Sequence, residues 1–223
     1  VSSRLLPQRF YAREALEVAR DLLGMLLRRG RVVLRITEVE AYRWPGDTAS
    51  HGRFGRTLRN DALWGPPGHA YVYTCYGLHQ LLNLVTGRDG EASAVLIRAC
   101  EPIAGIERVR ARRGGRSGPV LLTGPGKVGA ALALDTRWNH APLYTAGGLE
   151  VRRGEAPKRI LVGTRIGVDY ARPEHRTLPW RLAAADTPWV SHRGGLRAEG
   201  TGVRARAAVR GRRSSRGRAG SRV

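Results

Sequence analysis

The sequence predicts an α+β fold: a single domain with a curved, mostly antiparallel sheet, surrounding helices and one protruding hairpin. Three observations predict it. The chain has 223 residues with 42% hydrophobic side chains, enough for one domain with a real core. Leu16, Ala19, Leu22, Leu23, Leu26 and Leu27 recur at helical spacing near the N-terminus. Two β-rich runs, 69–76 and 80–86, flank Gly77 closely enough to pair as a hairpin.

In chain order, residues 8–28 are expected to be helical, with Gly30 as the stop. Residues 31–42 are β-branched, alternate loosely and predict a strand. The stretch 43–68 is rich in Gly, Pro, Arg and Asn and predicts irregular structure. That is long for a structureless loop, which marks it as a functional segment. The hairpin follows, then a strand over Ser93–Ala99 that ends at Glu101-Pro102, and a helix to Arg112. Thr123-Gly124-Pro125 is a helix start, and that helix is expected to reach Leu134. Strands are predicted over 148–153, 159–168 and 180–185. The sequence thus divides into a folded body, 1–192, and an Arg-rich segment, 193–223, whose ten Arg and single acid (Glu199) predict disorder. That segment is either a nucleic-acid-binding arm or a misread terminus.

The net charge is +21, and 37 of the 39 basic residues are Arg, only Lys127 and Lys158 being Lys. The planar Arg fork grips phosphate and stacks on flat rings, which suits a nucleic-acid partner. A high-GC genome produces the same bias, and the two explanations are compatible. Cys75 and Cys100 form no CxxC pair, and no secretory signal precedes them, so a reduced, cytoplasmic setting is expected. Val in place of Met at the first residue hints at a bacterial alternative start codon or a trimmed chain. No apolar run approaches the roughly 18 residues of a membrane span. His and Cys are scattered without ligand spacing, so no metal is expected. Gly124-Pro125-Gly126-Lys127 resembles half of a phosphate loop, but Val128 stands where Ser or Thr is needed. No dinucleotide fingerprint is present, and no cofactor is expected.

Glu38, Glu40 and Tyr42 share one face of the 31–42 strand. A carboxylate beside an aromatic ring in a partly buried cleft can serve as a general base. On spacing alone, an edge-strand Glu paired with one of the many Arg residues is the commoner explanation. Tyr71 and Tyr73 also share a face. Tyr76 falls beside Gly77 at the hairpin tip, either as a wedge for a base stack or folded back on its own sheet. His51 and Asn83 are individually uninformative.

Taken in order, ITEVEAY (36–42), TASHGRFGRTLRN (48–60), GPPGHAYVYTCYG (65–77), NLVTG (83–87), VLIRACEP (95–102), LTGPGK (122–127), TRIGV (164–168) and TPWVS (187–191) resemble the alkylpurine DNA glycosylases of the 3-methyladenine type. The resemblance covers nearly everything from residue 5 to 191. It implies an enzyme that hydrolyses the N-glycosidic bond of alkylated or otherwise damaged purines in double-stranded DNA by base flipping, acting as a monomer. Glu40 would be the general base that activates water, with Arg98 and the Ile166 carbonyl holding that water. Tyr42, His51 and Tyr73 would stack on the extruded base, and Asn83 would exclude the 2-amino group of normal guanine. Tyr76 would fill the gap in the duplex, with Leu78 and His79 in the minor groove beside it. Glu38 and Tyr71 would be structural neighbours. With so little Lys, water rather than an amine is the expected nucleophile, leaving an abasic product with the strand intact. Two features depart from the family pattern: Leu58 stands where Pro is expected, and Trp64 replaces a smaller residue. The competing readings are a non-catalytic protein that binds damaged bases and a general basic RNA-associated protein.

Overall fold

The computed structural model describes residues 3–200. The expected helix over 8–28 is instead two short helices and a strand. α1 (Gln8–Tyr11) is separated from α2 (Ala15–Leu22) by a break at which the Glu14 carboxylate caps α2, accepting from the Leu16 and Glu17 amides. Gly24, at φ 84°, ends the helical run where its Cα lies against the Glu155 backbone; any side chain there would overlap it. Leu26–Arg29 then forms β1, paired on both edges. A stripe of leucines at helical spacing also suits a strand buried on both faces, so periodicity alone misleads here.

β2 (Val32–Tyr42) is the central strand. One edge pairs with β5 (Ser93–Ala104); the other pairs first with β1 and then, from Glu38 to Glu40, with β8 (Arg181–Ala184). The ladder to β5 slips between Ile36 and Glu38 and again between Glu38 and Val39. Those bulges change which face each residue occupies. Val32, Leu34 and Ile36 belong to the main core, and beyond the slip Val39 and Ala41 belong to it instead. The core face moves from even to odd positions, which releases Glu38, Glu40 and Tyr42 to the other side. Without the bulge, both carboxylates would point into a leucine-rich core.

β3 (Ala70–Cys75) and β4 (His79–Thr86) form the expected hairpin, and β4 pairs with β5. β5 runs on past the expected end at Ala99. Pro102 is accommodated because the ladder skips Ile103 beside it, a bulge that tolerates the missing donor. α3 (Ile106–Arg112), α4 (Pro125–Ala131), β6 (Leu149–Arg152), β7 (Ile160–Gly163), α5 (Pro173–Arg176) and β9 (Arg197–Ala198) complete the fold. The nine-stranded sheet runs β3-β4-β5-β2-β8-β7-β9, with β1 and β6 branching from β2, and the strand pairings are antiparallel. α4 stops short of the expected Leu134. The expected strand 159–168 ends at Gly163, because residues 164–168 leave the sheet.

The stretch 43–68 is ordered despite its composition. Two 3-10 turns, His51–Phe54 and Asp61–Trp64, are tied together by Asn60, whose amide donates to the His51 and Gly55 carbonyls while its oxygen accepts from the Thr57 amide. The Arg-rich segment, expected to be disordered from 193, begins as part of the sheet. β9 pairs with β7, and Glu199 forms an ion pair with Arg20. The rest of that segment lies outside the described residues. Among the described residues, no helix is long and apolar enough to cross a membrane.

α4 packs so closely on β4 that a Cβ at Gly129 would sit far inside contact with the Gln80 carbonyl oxygen. Gly129→Ala is therefore expected to destabilise the fold by about 1–3 kcal/mol, the usual cost of overpacking. Thermal or urea denaturation measures it, and an unchanged midpoint would mean that the helix can move away freely.

Candidate active site

Between the two smaller hydrophobic clusters lies a cavity of about 260 Å³. That is small beside the roughly 300–1,000 Å³ of drug-sized sites and fits a single flat ring system. Tyr42, His51, Tyr71, Tyr73, Asn83, Arg98, Ile166 and Tyr170 line it. Tyr42 is seated against Ala49, Val168 and Ala171, while Tyr71 and Tyr73 belong to the cluster of Leu63, Val85 and Ala94.

Glu40 is fully buried just behind this wall. Its Oε1 accepts from the Ile166 amide at 2.8 Å and its Oε2 from the Tyr42 hydroxyl at 2.8 Å. Arg98 Nη1 lies 3.2 Å from the same Oε2. Three cavity-lining residues thus hold one carboxylate. The contact from Ile166 is made by its N–H, and it exists because residues 164–168 have left the sheet.

Arg98 also reaches Glu38, with Nε 3.4 Å from Oε1. Glu38 is likewise fully buried, and it accepts from Arg181 Nη1 at 3.1 Å and from the Ser191 amide at 2.6 Å. Arg181 in turn donates to the carbonyls of Thr164, Ser191 and His192. Two carboxylates and two guanidinium groups balance, which is what allows four charges to be buried together. Burial would lower the Arg98 pKa, but attraction to Glu40 and then Glu38 outweighs it and holds Arg98 above its ordinary value.

A second buried pair supports Tyr42. Arg165 forms a fork with Asp47 at 2.6 and 2.9 Å, donates to the Ala41 carbonyl, and stacks 4.7 Å from the Tyr42 ring centre. Burial, and after it the charge of Glu40, pushes the Tyr42 hydroxyl well above the ordinary range, so it remains a donor. Burial also raises Tyr71 and Tyr73.

His51 sits edge-on to Tyr73 with ring centres 4.6 Å apart, and its Nδ1 lies 2.9 Å from the Tyr71 hydroxyl. Its pKa is lowered, first by burial and then by Arg53 and Arg59, so the ring is neutral. Just below pH 6.5 the unfolded chain binds the proton more readily, so this contribution is complete above that value and is lost as the pH falls. Stability measured by urea denaturation should drop less between pH 7.5 and 5.5 in His51→Gln than in the wild type. Equal drops would mean that His51 is freely protonated in the fold.

Asn83 is buried on β4, opposite Tyr71 and Leu96, and donates to the Tyr71 carbonyl at 3.2 Å. At the hairpin tip, Tyr76 is 90% exposed and Leu78 79% exposed. The chain reverses through left-handed conformations at Tyr76 (φ 51°) and Gly77 (φ 69°). A left-handed tyrosine costs about 1–2 kcal/mol. His79 lies over Gly126, so α4 braces the tip. All ten residues singled out from the sequence therefore fall at the cavity, immediately behind it or on the adjoining tip.

Tyr71 is more than the structural neighbour expected: it lines the cavity and holds His51. Its two-residue spacing from Tyr73 was the available signal. Tyr170, Arg165 and Asp47 were not anticipated. They lie on irregular segments, where no period tells which way a side chain points.

Comparison with known proteins places the chain among recognisable relatives. The sequence model of the methylpurine-DNA glycosylase family matches residues 9–188. The chain is 56% identical over 190 residues to the DNA-3-methyladenine glycosylase of Arabidopsis thaliana, covering 84% of this chain and 74% of the plant protein. It is 68% identical over 192 residues to a protein of Nitrosococcus oceani provisionally named 3-methyladenine DNA glycosylase, covering 86% of this chain and 96% of that one. A provisionally so named protein of Methanocella arvoryzae is 47% identical over 194 residues, with 85% and 96% covered.

Proposed function

Because this chain belongs to the methylpurine-DNA glycosylase family and is a hydrolytic N-glycosylase of DNA alkylation repair, we propose that it excises 3-methyladenine and related damaged purines from duplex DNA by flipping the nucleotide into the 260 Å³ cavity. The observation that carries this reading is Glu40, a buried carboxylate held behind the cavity wall by Tyr42, Arg98 and Ile166. The target bond of a stacked nucleotide is inaccessible, so the base leaves the helix at a cost of a few kcal/mol, least for damaged pairs. Tyr42 then stacks on it, with His51 and Tyr73 on its other side. Each aromatic face attracts a cationic alkylated purine by about 0.5–2 kcal/mol.

Glu40 accepts a proton from water as the water oxygen bonds to C1′ and the C1′–N bond breaks. The bonding pair departs with the base, and an alkylated purine leaves neutral without a proton donor. Arg98 and the Ile166 carbonyl position the water. Asn83 rejects guanine by crowding its 2-amino group. Neither Lys127 nor Lys158 lines the cavity, which supports water as nucleophile. Incubation with alkylated duplex should release free 3-methyladenine and leave an unbroken strand with an abasic site. Absence of release would overturn the proposed activity, and a borohydride-trapped adduct would overturn the monofunctional mechanism.

Tyr76 occupies the gap left in the duplex, and Leu78 and His79 touch the minor groove beside it. The enzyme acts as a monomer in the cytoplasm, held at the nucleoid by its basic surface. The eight Arg of 201–223, with no acid among them, add sequence-independent affinity. Truncation after Gly200 should weaken DNA binding and reduce its salt dependence, measured as the slope of log affinity against log salt. An unchanged slope would remove the segment from the interface.

A further inference from the structure

The buried charges behind the cavity include one carboxylate that the proposed reaction does not use. Glu38 sits two residues from Glu40 on β2, is equally buried, and shares Arg98 with it. Arg98 is therefore not the private partner of Glu40. Its Nε leans toward Glu38 at 3.4 Å, too far for a sound hydrogen bond, and makes no other. Glu38 is also the anchor of Arg181, which stands opposite Glu40 in the β2–β8 register.

We propose that Glu38 is a positioning residue that sets the basicity of Glu40 by drawing off part of the Arg98 charge, with Arg181 limiting how much it draws. This rests on Glu40 being the general base. A carboxylate facing an undivided guanidinium would be a poor proton acceptor; dividing that cation with a second anion restores its basicity. The other groups facing Glu40 are the Tyr42 hydroxyl, the Ile166 amide, Arg165 with its countercharge Asp47, and Tyr73 across the cavity. They are the same in every variant below, which leaves Glu38, Arg98 and Arg181 as the charges that change.

The test is the acidic limb of the pH–rate profile for single-turnover base release. Glu38→Gln leaves Arg98 wholly to Glu40, so the limb should move to lower pH, by on the order of one unit. The rate above the limb should also fall, because a weaker base accepts the proton less readily. Arg181→Gln frees Glu38 to compete harder for Arg98, so its limb should move to higher pH. Glu38→Asp keeps the charge and should stay near the wild-type profile. Opposite displacements exclude a merely structural role, but removal of any charge beside Glu40 produces them too. The shift of Glu38→Gln should therefore also shrink when Arg98 is replaced by Gln in the same chain; a shift of undiminished size in that double variant overturns the proposal. Coincident limbs overturn it, as does a downward shift in Glu38→Asp equal to that of Glu38→Gln. The underlying reading fails separately: if Glu40→Gln retains wild-type activity, Glu40 is not the base.

Discussion

Glu40→Gln is expected to lower single-turnover release of 3-methyladenine from alkylated duplex by about 10²–10⁴-fold, the range associated with a positioned general base. The substitution is conservative in shape. The Ile166 amide can still donate to the side-chain oxygen, and Arg98 retains Glu38 as a countercharge. Arg98 and Arg181 then have only Glu38 between them, so one buried cation is in excess and stability should fall, though by less than if Arg98 lost every countercharge. The fold should therefore survive while proton transfer is lost. Thermal denaturation and affinity for a lesion duplex separate the two effects. A rate within a few-fold of wild type would dismiss Glu40 as the base.

Tyr76→Gly is expected to separate activity from stability. The side chain is 90% exposed and carries no core packing, while its φ of 51° is one that glycine adopts without strain. Relief of that strain and the greater unfolded-state freedom of glycine oppose each other, so stability should stay within about 1 kcal/mol of wild type. Excision from duplex should nevertheless fall, because nothing would then fill the vacated stack. Losing about 2 kcal/mol of that compensation corresponds to roughly 30-fold. Release from an unpaired strand, where no stack needs filling, should change little. Equal losses on duplex and single strand would count against a wedge, as would no loss on either. A strained, exposed aromatic at a hairpin tip, braced by α4, is difficult to explain by folding alone.

The legibility of the site in the sequence was uneven, for local reasons. The hairpin could be read because β-rich runs around Gly77 are a short-range signal. Tyr71, Tyr73, Glu38, Glu40 and Tyr42 could be grouped because a strand alternates. The expected helix over 8–28 failed because leucines buried on both faces fit two periods at once, and Gly24 decides between them only through its approach to Glu155. Arg165 and Tyr170 were invisible. They stand on chain that leaves the sheet after Gly163, where direction is set by partners more than a hundred residues away.

By itself the sequence determined the chemical inventory: two carboxylates and a tyrosine on one strand face, paired tyrosines on another, a fourth tyrosine at a turn, and an Arg-rich chain around them. Ordered motifs tied that inventory to a family. Whether those carboxylates face the core or the cavity was decided only by the tertiary structure. Alternation is local, but the bulge between Ile36 and Val39 arises from how β2 pairs with β5 and changes partner from β1 to β8. The sharing of Arg98 between Glu38 and Glu40 likewise exists only once β2, β5 and β8 lie side by side. Charge placed by non-local pairing is what turns the glutamate of a strand into a candidate base.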